Sequence, residues 1–302
     1  MNKEIEKDNN FKYKNVAVIL RTKDRPLFLE RALKDIFSQT YQNFEVIIVN
    51  DSGDINILEL VIKDFMNSGK IRVVNNKECE GFAKSSNIGI NNSKSDFIVI
   101  HDDDDTWDVR FLEKTVSVLN KPNINNEYPM GVATHIIKII EGLNEENSDI
   151  KEISREEYNM TIQYVNLFYM LGQNQFAPIS FLYRRDVLKI VGYYNEELPT
   201  MDDWDFNQRF LLYYDILLIK EPLAYYHVRL SEDPKYANSV TVNKQKMKNL
   251  NNFIKNKYLR EDIKNEKLGI GYLMNISQNI IEIQRSLNRI ENYLKKEDLL
   301  NK

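Results

Sequence analysis

Four short runs of apolar, mostly β-branched residues, separated by stretches with helical spacing, limit this chain to a narrow class of folds. The runs are Val16 to Leu20 (VAVIL), Glu45 to Val49 (EVIIV), Ile71 to Val74 (IRVV) and Phe97 to Ile100 (FIVI). Continuous apolar runs of this length suit strands covered on both faces, as in a parallel sheet between layers of helices. Between them, Pro26 stands where a first helical turn tolerates it, and Leu29, Ala32, Leu33 and Ile36 follow at helical spacing. Ile57, Leu60, Val61 and Asp64-Phe65 form a second amphipathic stretch, and Ala83 to Ile90 a shorter third. This alternation predicts an α/β domain with a mostly parallel, Rossmann-like sheet flanked by helices. Met130 to Ile140 is expected to add a strand, while Tyr164 to Leu171 is apolar and aromatic without a clear period.

Open α/β sheets bind ligands beyond the carboxyl ends of their strands. The segments that follow the four runs are all polar. They are Arg21-Thr22-Lys23-Asp24-Arg25-Pro26, Asn50-Asp51-Ser52-Gly53, a loop ending in Glu80-Gly81, and His101-Asp102-Asp103-Asp104-Asp105. Adjacent carboxylates repel and raise one another's pKa unless a cation or hydrogen-bond donors compensate. One aspartate is enough to cap the helix expected near Asp108. Four in a row fit a hard divalent cation better, and oxygen ligands suit Mg²⁺ or Mn²⁺. The glycine and the closing glutamate of an EF-hand calcium loop are missing.

These residues carry a resemblance. Val16 to Asp51 (VAVILRTKDRPLFLERALKDIFSQTYQNFEVIIVND) resembles the opening of family 2 glycosyltransferases, which have the GT-A fold. Gly81 to Gly89 (GFAKSSNIG) is similar to the family's glycine-to-asparagine segment, and Phe97 to Trp107 (FIVIHDDDDTW) to its DXD segment. Ser180 to Arg209 (SFLYRRDVLKIVGYYNEELPTMDDWDFNQR) resembles the acceptor-side stretch that ends in an acidic pair. The order is the family's own across residues 16 to 229. The resemblance implies inverting, metal-dependent transfer from a nucleotide-sugar donor, a UDP-sugar, to a glycan, lipid-linked or protein acceptor. It implies that Asp51 contacts the base and that Thr22, with Arg25 in the same turn, walls it. Asp102 falls near the ribose with Asp103 beside it, and Asp104, with Asp102, is implied to hold Mn²⁺ or Mg²⁺. Two departures stand out. Arg21 and Asp24 occupy positions where many relatives have proline and asparagine. Ser86 replaces the arginine that usually precedes Asn87, leaving Lys84 as the nearest cation for the diphosphate and Asn87 as a nucleotide-sugar contact.

A second acidic group, Met201-Asp202-Asp203-Trp204-Asp205, precedes an amphipathic stretch carrying Phe206, Phe210 and Leu211. Acids at a helix start suit the helix dipole, which is the plain reading. The resemblance implies that Asp203 is the general base, with Asp202 beside it, and Trp204, an aromatic face next to that base, is the first candidate for a sugar contact. Asn174, Gln175, Phe176 and Trp107 are further candidates on the acceptor side. His227, within Ala224-Tyr225-Tyr226-His227-Val228-Arg229, is either a hydrogen-bonded structural residue or a further cation ligand, and Arg229 a diphosphate contact. A nucleotidyltransferase would also bind nucleotide and metal on such a sheet, but Thr22-Lys23-Asp24-Arg25 has no phosphate-loop glycine. The acids at positions 102, 104 and 203 argue against a non-catalytic glycan-binding scaffold.

Bulk properties narrow the partners. A formal net charge of −4 gives no electrostatic reason to bind nucleic acid or an anionic membrane. Cys79 alone cannot close an intramolecular disulfide, and no apolar run approaches the about 20 residues that span a bilayer. With a polar amino terminus lacking a signal's apolar core, the expectation is a cytoplasmic protein, at most peripheral to the inner face of the membrane. The expected organisation is a polar tail over 1–10, a GT-A domain over 11–230 and a helical appendage over 231–302. In the appendage Leu273, Ile276, Ile280, Ile283, Leu287, Ile290 and Leu294 alternate at spacings of three and four, a heptad seam that predicts homo-oligomerisation.

Overall fold

The computed structural model describes residues 15–144, 149–229, 238 and 244–300, so the expected tail over 1–10 lies outside the described residues. The elements are, in order, β1 (Val16–Thr22), α1 (Pro26–Phe37), β2 (Phe44–Asn50), α2 (Ile55–Ile62), β3 (Ile71–Asn75), α3 (Phe82–Asn91) and β4 (Phe97–Asp102). Next come β5 (Thr106–Trp107), α4 (Phe111–Leu119), β6 (Gly131–Asn144), β7 (Asp149–Glu157), α5 (Leu167–Gly172), β8 (Phe181–Arg184) and α6 (Leu188–Val191). The last are α7 (Asp202–Leu211), β9 (Ile216–Arg229), α8 (Lys244–Lys264) and α9 (Ile270–Leu300). Two compact units result, Met1–Val242 and Asn243–Lys302.

In the first unit one sheet runs in the order β3-β2-β1-β4-β8-β6-β9-β5, with β7 paired to β6. The four apolar runs of the sequence are the parallel half, β3-β2-β1-β4. Antiparallel β8 joins β4 to β6, and β9 lies parallel to β6. Every residue of β1 is buried, as continuous apolar strands between helix layers must be. Pro26 opens α1, whose buried face is Phe28, Leu29, Ala32, Leu33 and Ile36. Helix α3 lies so close to the sheet that a Cβ on Gly89 would fall 2.3 Å from Ile19 Cγ2.

Helix α2 departs from expectation. It ends at Ile62, before Asp64-Phe65, and buries Leu58 and Ile62. Ile57 and Leu60, expected on the inner face, are 39% and 76% exposed. The stretch is apolar on every side, so spacing alone does not choose a face. Tertiary packing does, while the Asp54 carboxylate accepts from the Asn56 amide at 2.8 Å and caps the first turn.

The second unit holds the helices α8 and α9, and Ile280, Ile283, Leu287 and Ile290 are exposed. Among the described residues no helix is long and apolar enough to cross a membrane.

Candidate active site

The carboxyl ends of β1 and β4 lie side by side, with Arg21 opposite Asp102 in the parallel register. This brings the first polar turn onto the aspartate run. Arg21 Nη2 donates to Asp102 Oδ1 at 2.6 Å, and the Thr22 hydroxyl to Asp103 Oδ2 at 2.7 Å. Arg25 pairs with Asp103 and reaches Asp104 Oδ2 at 3.1 Å. From the end of β9, Arg229 also pairs with Asp104 and stacks its guanidinium 4.5 Å from the centre of the Phe28 ring. Asp105 Oδ1 accepts from the His227 amide at 2.9 Å.

Buried acids of this kind ionise unequally. Burial pushes Asp103 up to about 6 against the pull of Arg25. Burial also opposes the ionisation of Asp104, yet Arg25 and Arg229 outweigh it and hold this carboxyl well below the usual range. Burial, then the charges of Asp104 and Asp102, drive Asp105 well above it. Asp102, Asp104 and Asp105 each offer an oxygen, all within 4.8 Å of one another, and no other such group of His, Cys, Asp or Glu occurs among the described residues. Three close carboxylates, one of them short of positive partners, fit a hard divalent cation.

His227 stands beside this group rather than in it. Its Nδ1 lies 2.6 Å from Glu141 Oε1 and its Nε2 2.8 Å from Thr106 Oγ1. With Glu141 ionised, Nδ1–H donates to the carboxylate and Nε2 accepts from the hydroxyl, an assignment taken from the hydrogen-bond network. Burial lowers the pKa of His227, which favours this neutral form. Glu141 also pairs with Arg31 at 2.5 Å, and Arg31 donates to the Asp104 carbonyl at 2.5 Å. The sequence reading missed both. Glu141 lies inside an apolar strand and Arg31 on an ordinary helix, so only the fold reveals them.

On the other side of β1, Asp51 accepts from Asn76 Nδ2 at 3.0 Å, from the Glu80 and Gly81 amides at 2.8 and 3.0 Å, and from Cys79 Sγ at 3.3 Å. These bonds overcome partial burial and lower its pKa. Asp51 thus braces the loop that leads into α3. A small recess, lined in part by Thr22, Asp24, Arg25 and Asn50, opens between this edge and helices α1 and α2. Lys84 pairs with Glu80 at 2.5 Å and is turned to solvent. Asn87 is buried, with its carboxamide bonded to both backbone groups of Tyr194. It ties α3 to the segment before α7, a structural place that its sequence motif does not announce.

Helix α7 presents the second acidic group. Met201, just before it, holds a left-handed φ of 65°, as do Asp24 at 50° and Ser52 at 65° on the strand-end turns. Such conformations cost of order 1–3 kcal/mol each and concentrate at functional sites. Asp202 is buried, with Oδ2 4.0 Å from Arg21 Nη1. Asp203 is partly exposed and accepts from Asn174 Nδ2 at 2.7 Å, while Asn207 donates to Asn174 Oδ1 at 3.1 Å. Burial of the carboxyl and the neighbouring Asp202 charge push Asp203 up to about 7. Trp204 corrects the expectation of a sugar contact: it is 2% exposed, and its indole donates to the Met170 carbonyl of α5 at 2.5 Å. One position past Asp203, the helix turn carries it into the core. Trp107 and Phe176 are core residues too, and Gln175 is buried.

Known proteins share the family and the fold of this chain. The model of the family described as Glycosyl transferase family 2 matches residues 17–190. An uncharacterized glycosyltransferase of Haemophilus influenzae is 27% identical over 266 residues, covering 86% of this chain and 83% of its own. The uncharacterized glycosyltransferase YwdF of Bacillus subtilis is 25% identical over 194 residues, 64% of this chain and 67% of that one. Among solved structures, S. aureus TarS 1–349 in complex with UDP-GlcNAc aligns with a TM-score of 0.54 at 18% identity, over 74% of this chain. The chain spans 61% of that TarS structure, and at such identity the likeness concerns the GT-A fold alone.

Proposed function

Because the chain belongs to glycosyl transferase family 2, we propose that it moves a hexosyl or N-acetylhexosaminyl group from a UDP-sugar to a hydroxyl acceptor, with inversion at the anomeric carbon. The observation that carries this reading is the group of three carboxylates, Asp102, Asp104 and Asp105, at the carboxyl edge of the sheet. TarS, which shares the fold, is known with UDP and with UDP-GlcNAc, and this supports UDP-sugars as the first donors to test.

Asp203 is the general base. Its partly exposed carboxylate, steadied by Asn174, takes the proton of the acceptor hydroxyl as that oxygen bonds to the anomeric carbon. The bond from that carbon to the diphosphate breaks, and its electron pair leaves with the nucleoside diphosphate. Asp102, Asp104 and Asp105 would hold a Mn²⁺ or Mg²⁺ ion, which would supply positive charge against the departing diphosphate. Arg25 and Arg229 hold Asp104 ionised for that role, and the His227 amide holds Asp105 in place. Thr22 and Arg25 fix Asp103, which keeps the run's backbone in register with β1. The acceptor is a glycan, free or carried on a lipid or a protein.

A thermal-shift panel of nucleotide sugars with Mn²⁺ tests donor choice, because a ligand that binds only the native state raises its melting temperature. UDP-sugars should raise it, and the shift should shrink in chelator. A panel without effect for any nucleotide sugar at millimolar concentration contradicts the reading.

A further inference from the structure

One guanidinium joins four segments that are far apart in the chain. Arg21, near the end of β1, gives Nε and Nη2 to Asp102 Oδ1 at 3.0 and 2.6 Å. Its Nη1 donates to the Phe82 carbonyl at 3.2 Å and to Ser86 Oγ at 3.0 Å, both in the opening turns of α3. The same nitrogen is 4.0 Å from Asp202 at the start of α7. Arg21 is 8% exposed, Asp202 6% and Ser86 0%, so the junction is closed to solvent on most sides. Lys84, the nearest cation on α3 by sequence, points away to Glu80 and takes no part.

We infer that Arg21 is a positioning residue that holds Asp102 and the Asp202-Asp203 turn in one frame, and that it fills from β1 a slot which position 86 on α3 also faces. Two observations carry this. The Ser86 hydroxyl meets the guanidinium directly and is itself turned back onto the Phe82 carbonyl at 2.9 Å, so its Cβ points at the slot. The acids that flank the guanidinium belong to the two halves of the site, Asp102 among the candidate cation ligands and Asp202 next to the base. The partners lie in different directions around one planar fork, which suits arginine and not the single ammonium of lysine. A serine at position 86 leaves the room that the guanidinium occupies. Only the catalytic consequence rests on the glycosyl-transfer reading; the shared slot is a statement about packing and charge.

The test is a double-mutant cycle on Arg21→Ala, Ser86→Arg and the two combined, with Arg21→Lys as a fourth variant, read by melting temperature and by UDP release from a donor sugar. Arg21→Ala strands the buried Asp202 carboxylate and the half-buried Asp102 carboxylate, and should melt lower. Ser86→Arg alone crowds a second guanidinium into the slot and should also melt lower. The combined variant should melt above both and recover activity, whereas Arg21→Lys should recover little. Arg21→Ala should lose about 10–100-fold in kcat, with a smaller change in donor KM, since displaced catalytic groups are costly even when binding survives. A combined variant that melts no higher than Arg21→Ala overturns the shared slot. Wild-type kcat in a folded Arg21→Ala overturns the positioning role. Absence of UDP release from the wild type itself counts against the transfer reading, and the melting cycle still decides the slot.

Discussion

A carboxylate that collects a proton at neutral pH works best with a pKa near 7, and burial together with the Asp202 charge pushes Asp203 to about 7. Asp203→Asn keeps size and most hydrogen bonding but removes the proton acceptor. Loss of a general base typically costs 10²–10⁴-fold, about 3–5 kcal/mol of barrier, so kcat should fall by that factor with nucleotide-sugar Kd little changed. A variant within about threefold of wild-type kcat contradicts the assignment. Asp202→Asn should be milder. The pH dependence follows from the same shift: the base acts when ionised, so kcat should rise with pH through about 7 and drop below it. Stability has the opposite sign. The folded carboxyl holds its proton to higher pH than the unfolded one, whose pKa is about 3.9. Its contribution is therefore fully present at low pH and is lost as pH rises from about 4 through about 7. Activity and melting profiles of wild type and Asp203→Asn across that window check both signs.

Elements differ in how far the sequence reveals them. Strands β1, β2 and β4 are legible because both faces are buried, which leaves short, β-branched apolar runs, whereas β3 lies at the sheet edge and has no fully buried residue. Helix α1 is legible because polar and apolar residues separate cleanly and Pro26 marks its start. The face of α2 is not, since Ile57 and Leu60 are as apolar as Leu58 and Ile62 and only tertiary packing distinguishes them. The acidic edge of the site can be read from chain order, because strand ends in such a sheet converge. Arg25 and Arg229 follow from the resemblance, but Arg31 and the ion pairs do not: Arg31 and Arg229 meet Glu141 and Asp104 only through the pairing of β6 with β9 and the packing of α1. Proximity to Asp203 suggests an outward-facing Trp204, but a helix rotates adjacent residues by about 100° and so carries it inward. Gly89 offers a test at this scale. A methyl there would meet Ile19 Cγ2 at 2.3 Å and Val49 Cγ2 at 3.1 Å. Gly89→Ala should lift α3 from β1 and cost about 1–3 kcal/mol in denaturant unfolding. An unchanged midpoint means that the helix is seated less tightly than this.

At the scale of the whole molecule, the unit from Asn243 onward carries the heptad seam, where Ile280, Ile283, Leu287 and Ile290 are 55–60% exposed. An apolar stripe of two residues per heptad suits association with a like helix, which supports the proposal of a homo-oligomer. Ile280→Asp with Leu287→Asp sets charges into that stripe and should convert an oligomer to monomers in light scattering. A wild type that is monomeric at micromolar concentration removes the proposal. The central claim concerns the first unit, that its aspartate edge works on a nucleotide sugar with a divalent cation. It is tested most directly by UDP release from a set of UDP-sugars, with Mn²⁺ or with excess EDTA, for the wild type and for Asp104→Asn. The account predicts turnover of at least one donor by the wild type, abolished in EDTA and restored by Mn²⁺ or Mg²⁺, and lost in an Asp104→Asn protein that still melts cooperatively. Equal turnover in excess EDTA, or in Asp104→Asn, would contradict it and leave Arg25 and Arg229 as the source of the positive charge at this site.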